Sequence, residues 1–464
     1  MKNDLKRWYN NKNATNEGEN ENIVKNNLGV NMLKKIIAGI GKWNVKKSLV
    51  VMFLTIIVMS FIGYLSLVVV YTIPVDGRMN HNIQSSAEKF LKEGSYVGPS
   101  GRGSTLDNFT DALMVLSAGE KTKNGIMVDA IDIPRKVCND KDPVEVIVAS
   151  CITKNCEEHI GTYGRYWHGY LLYLKPLLWL MSYRHIRDII AFLQLGLFLI
   201  VIWKLFKEQH VFVLPFCAAW FFLRPVSTML SLQFFSMTTL MFLGVLGVLH
   251  LQKEKVSLSV WSFYFMFIGI LACYLDLLTF PLITLGVPLL LWYCCCYKEN
   301  IKLDLKRIVT LSASWTLGYG GFWFSKWVLG SLITGNNLLL NAWNAIIFRA
   351  SGGYKEHVFT LLSVLKRRVG TVDPLFWGVF IMITLYIGYQ LYRRNALIEI
   401  NILLPILFIA TYPIIWYLAL RNHSGIHWFT YRTLVVLPCS VLTYLMMMKE
   451  KSKNANNSST DTVL

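Results

Sequence analysis

An acid, a guanidinium and an imidazole follow closely in YTIPVDGRMNHN, where Asp76, Arg78 and His81 emerge directly from an unbroken apolar run. A carboxylate there can accept a proton, and a guanidinium can hold a phosphate through charge-assisted bonds; the Asp-Gly pair is equally an ordinary turn. Asp107 and Asp111 in LDNFTDALM are four apart, so a helix would set both carboxylates on one side. Such a pair can grip a divalent cation or a sugar, or simply sit on an exposed helix face. Arg165 and His168 in GRYWHGY lie about one helical turn apart, among aromatic faces suited to stacking on sugar rings. Asp276 in YLDLLTFP stands between two apolar runs with almost no connector. An acid at the centre of a membrane helix costs about 2.5 to 3.5 kcal/mol and as a rule faces a polar cavity or a partner; Asp276 can also cap the helix that follows. RNHSGIHWFTYR supplies His423, His427 and Arg432. Two histidines four apart occur in metal sites, but Gly425 between them interrupts a helix, so anion contact is the preferred reading.

The elements that must position these residues are membrane helices. Hydrophobic residues make up 54% of the chain and charged ones 16%, segregated into short clusters between long apolar runs, which places the chain among all-α polytopic membrane proteins. About ten spans are expected by the length rule. They lie near 49–72, 187–206, 210–224, 233–251, 258–275, 277–296, 309–329, 374–392, 397–419 and 429–447. Basic clusters fall at alternate connections: Lys46-Lys47, KLFKEQ (204–209), QKEK (252–255), KENIKLDLKR (298–307), Arg393-Arg394 and the Lys449/Lys451/Lys453 tail. That pattern predicts a plasma-membrane protein with both termini cytoplasmic. The net charge of +18 resides largely in these flanks and in the tails, which argues against a nucleic-acid partner. RYWHGYLLYLKPLLWLMSY (165–183) is apolar enough to span, but counting it would invert every later basic loop, and Lys175-Pro176 breaks its middle. It is expected to lie along or dip into the outer leaflet, with Tyr166, Trp167, Tyr170, Tyr173 and Trp179 at headgroup level.

The domain plan is a cytoplasmic tail over 1–47, a transmembrane domain over 48–447 and a second tail over 448–464. The first tail leads into NMLKKIIAGIGKW, where Leu33, Ile36, Ile37 and Ile40 share a helical face beside lysines, as in an interfacial helix or an ordinary basic flank. Residues 73–186 form a first outer loop too long for a connector, and 330–373 form a second outer segment. Of Cys138, Cys151 and Cys156 in the first loop, one pair can form a disulfide and one thiol is left over. No paired Cys-x-x-Cys supports zinc.

Several of these features together resemble the GT-C class of glycosyltransferases, which includes protein mannosyltransferases and lipid A aminoarabinose transferases. They are an acid just outside the first span (PVDG), a long first outer loop, and the aromatic juxtamembrane stretch followed by RHIRDIIAFLQLGLFLIVIW. The likeness is one of layout over about 45–210; RYWHGY stands where the mannosyltransferase branch has a His-Pro-Pro-like sequence. The resemblance implies transfer of a sugar from a polyprenyl-phosphate carrier to an acceptor, whose identity stays open, on the outer face, with membrane lipid as surroundings. It implies Asp76 as the general base and Arg165, Arg432 and His423 or His427 at the phosphate; Arg78, Asp107, Asp111, His168 and Asp276, expected on the same outer side, complete the substrate-binding set. Metal dependence stays open, a divalent cation being one option. A lipid-linked sugar flippase or a noncatalytic envelope-assembly protein would also carry charged groups in a lipid-accessible cavity, and both remain alternatives.

Overall fold

The computed structural model describes residues 39–40, 43–98, 105–299, 301, 304–352 and 358–460. Leu33, Ile36 and Ile37 of the expected interfacial helix, and the tail before them, lie outside the described residues. Among the described residues the only β structure is two short antiparallel pairs. Tyr96–Val97 pairs with Leu106–Asp107, and Pro134–Val137 pairs with His159–Thr162 in the register Pro134 to Thr162. The rest is helix, turn and loop, and the chain is an all-α membrane protein.

Among the described residues seven helical segments are long and apolar enough to cross a membrane: Val45–Thr72, Tyr183–Glu208, Leu232–Lys253, Leu258–Leu275, Pro374–Arg393, Ile400–Ala419 and Trp428–Lys453. Each overlaps an expected span. The other three expected spans are also helical. His210–Phe222 and Ile283–Lys298 are shorter apolar segments, and Leu305–Thr334 is a 30-residue helix outside those seven.

Polar side chains set where these helices start. Asn44 accepts from the Lys47 N–H at 2.8 Å, and Asp304 accepts from the Arg307 N–H at 3.0 Å, each satisfying a first-turn donor that has no intrahelical partner. The basic connections meet at one end of the bundle. Lys253 Nζ lies 2.7 Å from Glu208, Lys298 Nζ donates to the Glu208 carbonyl at 3.2 Å, and Lys451 pairs with Glu399 at 2.6 Å. The Trp43 and Phe263 rings, 5.8 Å apart, bring the start of the first helix to the same end.

The first loop folds onto the opposite end. Its helix Gly77–Glu93 buries Met79, Ile83, Ala87 and Phe90 and exposes its charged face, the division expected of an amphipathic surface helix. Cys138 and Cys156 form a disulfide, their Cα atoms 6.2 Å apart, and Cys151 is left free. Leu171–Leu180 is a ten-residue helix, about 15 Å long and too short for the roughly 30 Å hydrocarbon core. Its approach differs from the expected headgroup anchor: Tyr166, Trp167 and Tyr170 are buried inside the protein. The Trp167 indole N–H donates to the Phe322 carbonyl at 2.7 Å, and the two rings stack at 4.6 Å. Lys175 is also buried and donates to the Ala118 carbonyl at 2.7 Å.

The helices Leu258–Leu275 and Leu305–Thr334 pack with their backbones almost touching. A Cβ added at Gly269 would lie 2.2 Å from the Trp315 carbonyl oxygen, and one added at Gly318 would lie 2.1 Å from that of Met266. Small residues at a helix crossing permit this approach in an apolar medium, where packing drives association. The crossing fixes Asp276, at the end of one helix, relative to Tyr319 and Trp323 on the other.

Candidate functional site

Asp276 ends the helix Leu258–Leu275 and is 3% exposed. Its carboxylate accepts the Thr279 N–H at 2.8 Å and the Thr279 hydroxyl at 2.5 Å, and the Leu277 and Leu278 N–H groups also act on it. Burial pushes this carboxyl up to about 7, against the pull of Thr279. The turn brings Leu278 to φ 65°, and the Leu278 carbonyl meets His423 Nε2 at 2.8 Å. A carbonyl only accepts, so Nε2 carries the proton and Nδ1 presents a lone pair. That Nδ1 is buried with no hydrogen-bond partner among the described residues. The His423 and His427 ring centroids are 4.5 Å apart. Burial, then the neighbouring His427 and Arg349, hold His423 well below the usual imidazole range. Burial with Arg349 and Arg368 brings His427 to about 4. Both rings are therefore neutral at pH 7, which corrects their reading as anion contacts: His423 offers an acceptor.

Two of the cations, Arg349 and Arg368, come from the second outer segment, and Arg165 comes from the first loop. Arg349, on the helix Leu338–Ser351, donates to the Tyr166 hydroxyl, and the Tyr166 ring stacks on Trp323 at 5.5 Å. Burial lowers the affinity of Arg349 for its proton, but the Tyr166 and Tyr163 hydroxyls outweigh it. Asn422 secures this helix by donating to the Phe348 carbonyl at 2.8 Å. Arg368, on Leu361–Thr371, donates to the His427 carbonyl at 2.9 Å, while its buried Nε has no partner among the described residues. Arg165 donates to Asn341 at 3.2 Å and lies 5.5 Å from the Tyr163 ring centroid; its Nε is likewise unpartnered among the described residues. Arg349 and Arg368 were missed in the sequence because nothing in their local pattern separates them from ordinary basic flanks. The short helical stretches around them, each carrying an arginine toward an apolar run, are the one available signal.

The remaining expected residues have structural partners. Asp107 caps the helix Asn108–Ala118, accepting the Thr110 N–H at 3.1 Å, and burial pushes it to about 7. Asp111 lies not on an exposed face but against the start of Leu232–Lys253. It accepts from the Tyr183 hydroxyl at 2.6 Å, the Ser231 hydroxyl at 3.1 Å, and the Leu232 and Gln233 N–H groups at 2.9 and 3.0 Å. Four donors fill the lone pairs of a carboxylate, leaving none for a sugar or a cation. Arg432 is fully buried. It donates to the Leu223 carbonyl at 3.2 Å and the Ser227 hydroxyl at 2.7 Å, with its guanidinium 3.9 Å from the Phe234 ring centroid, so it joins helices instead of facing a ligand. His168 is fully buried too, with Nδ1 2.8 Å from the Tyr170 hydroxyl and Nε2 2.9 Å from the Tyr163 carbonyl. Both of its ring nitrogens are occupied.

Asp76 stands apart. It is exposed, caps Gly77–Glu93 through the Met79 N–H at 3.0 Å, and accepts the Trp179 indole N–H at 3.2 Å. These bonds, led by Met79, hold its carboxyl below the usual range. Arg78 covers the Trp179 ring at 4.5 Å. Trp179 lies near the far end of Leu171–Leu180, whereas Gly169, just before its start, donates to the Tyr274 carbonyl at 2.7 Å beside Asp276. The helix thus separates the two acids by about 15 Å of axial rise.

Among the described residues no group of three His, Cys, Asp or Glu side chains could hold a metal ion. Comparison with known proteins finds no matching family model, curated protein or solved structure. The cluster as it stands combines a proton acceptor, guanidinium groups with unused donors, an imidazole lone pair and the aromatic faces of Tyr166 and Trp323.

Proposed function

We propose that this chain is a membrane glycosyltransferase moving a sugar from a polyprenyl-phosphate donor to an acceptor hydroxyl at the end of the bundle covered by the first loop. In this reading that end faces away from the cytoplasm and all ten helical segments cross the membrane, the two short ones and Leu305–Thr334 included. The observation that carries the proposal is the grouping of Asp276, His423, Arg349 and Arg165 at one end of an apolar bundle. Buried polar atoms without partners cost about 1–3 kcal/mol each, a cost that a polar ligand removes.

Asp276 takes the proton from the acceptor hydroxyl, whose oxygen bonds to the anomeric carbon as the bond from that carbon to the phosphate oxygen breaks. The electron pair leaves with the phosphate, whose charge Arg349 and Arg165 stabilise. A phosphate leaves readily without a general acid, so one carboxyl suffices. His423 Nδ1 accepts from a sugar hydroxyl. The base is assigned to Asp276 rather than Asp76 because Asp76 is exposed, held by a helix cap and kept at low basicity. Purified protein incubated with radiolabelled polyprenyl-phosphate sugars and membrane extract as acceptor should release label from the carrier. Absence of release across hexose and pentose donors, with the fold intact, would overturn the proposal.

A further inference from the structure

At the basic end of the bundle, the turn after Leu232–Lys253, the start of Leu258–Leu275, the end of Ile283–Lys298 and the start of Leu305–Thr334 enclose a cavity of about 440 Å³. Gln252, Lys255 and Arg307 bring donors to it, Glu299 an acid, and Trp261 and Trp292 aromatic walls. Neither Lys255 nor Arg307 is ion-paired among the described residues. Trp292 is 1% exposed, and its indole N–H, a donor only, has no acceptor among the described residues. Two cations against the single acid Glu299, with the Trp292 ring in the wall, make the cavity suited to an acceptor-rich anion. Val256, Leu258 and Ile301 line the same cavity and suit the start of an apolar tail.

The geometry points to a binding site for the phosphate diester of an anionic glycerophospholipid, its phosphate on Lys255, Arg307 and the Trp292 N–H, and its headgroup hydroxyls toward Gln252 and Glu299. The cavity lies where Lys253 and Lys298 also gather around Glu208, the headgroup-level position at which basic pockets between membrane helices take anionic lipid. The site is independent of sugar transfer and stands or falls separately from it.

Full-length protein, purified in detergent and stripped of lipid, is titrated with phosphatidylglycerol, phosphatidylcholine or inorganic phosphate and followed by native mass spectrometry. Phosphatidylglycerol should bind at least about tenfold more tightly than phosphatidylcholine. The paired substitutions Lys255→Gln and Arg307→Gln should weaken it by about 30-fold, from two surface cations. Trp292→Phe keeps the ring, removes the donor and should weaken it by about fivefold; it carries the test if the pair does not fold. Equal binding of the two lipids, or parental affinity in folded Trp292→Phe, would overturn the site. Inorganic phosphate binding where phosphatidylglycerol does not would overturn the lipid assignment.

Discussion

Asp276→Asn separates a general base from a buried structural acid. The substitution keeps size and one acceptor oxygen but loses one of the two bonds from Thr279, costing about 1 kcal/mol of stability. Loss of a positioned base costs about 100- to 10,000-fold in turnover, equivalent to roughly 3 to 5 kcal/mol of barrier. Chemistry should therefore suffer well beyond stability. Because burial brings the Asp276 carboxyl to about 7, kcat/KM for the parent should rise with pH and level off above about 7, and this acid limb should vanish in the variant. The assay is single-turnover transfer from a labelled polyprenyl-phosphate sugar between pH 5.5 and 9, with thermal melts of both proteins alongside, the pH range being set at about 1.5 to 2 units either side of the expected midpoint. Asp76→Asn is the matched control. Asparagine caps a helix as well as aspartate does, so its transfer rate should stay within about threefold of the parent. A parental rate for Asp276→Asn refutes the base assignment, and a hundredfold loss confined to Asp76→Asn returns that role to the acid after the first helix.

Arg349→Ala removes the guanidinium that meets Tyr166 and should weaken donor affinity by about tenfold or more, read by isothermal titration; unchanged affinity removes Arg349 from the phosphate site. Arg432→Ala, by contrast, leaves the Leu223 carbonyl and Ser227 without a donor and should destabilise the protein by about 3 kcal/mol, seen as a lower melting temperature with unchanged donor affinity in the folded fraction. His168, which burial brings to about 3, binds its proton far less readily folded than unfolded. Its contribution to stability is complete above about 6.5 and is lost as pH falls toward 3, at about 1.4 kcal/mol per pH unit. His168→Gln should flatten the acid arm of the stability curve by that slope, and identical acid arms would contradict it.

The helices were legible because an apolar run of about 20 residues has few other uses, and Asp276 was legible because an acid between two such runs demands a reason. Segment 165–183 was read only in part: Pro176 lies inside the helix Leu171–Leu180 instead of breaking it, and the burial of the rings before that helix was not foreseen. Lipid and protein interior are both apolar, so composition cannot tell Tyr166 and Trp167 at a bilayer surface from the same rings packed against Trp323 and Phe322. Asp111 was misread for another reason. Its partners Tyr183 and Leu232 lie 72 and 121 residues away, and the local spacing from Asp107 carries no trace of them. Asp76 mixes the two cases: its cap on Gly77–Glu93 is local, but the Trp179 indole that also meets it lies 103 residues away. The neutrality of His423 and His427 follows from burial beside Arg349, which lies more than 70 positions upstream and in no shared motif.

The close crossing at Gly269 and Gly318 limits how this chain can vary over evolutionary time. Even alanine, the smallest replacement with a side chain, would drive a methyl group into a carbonyl oxygen of the facing helix at either position. Relief requires the helices to separate along their length, which would carry Asp276 away from Tyr319 and Trp323. A lineage that needs this arrangement of acid and aromatic rings is therefore confined to glycine at both points, while the lipid-facing surface of Pro374–Arg393, only 6% of it buried, is free to drift among apolar residues.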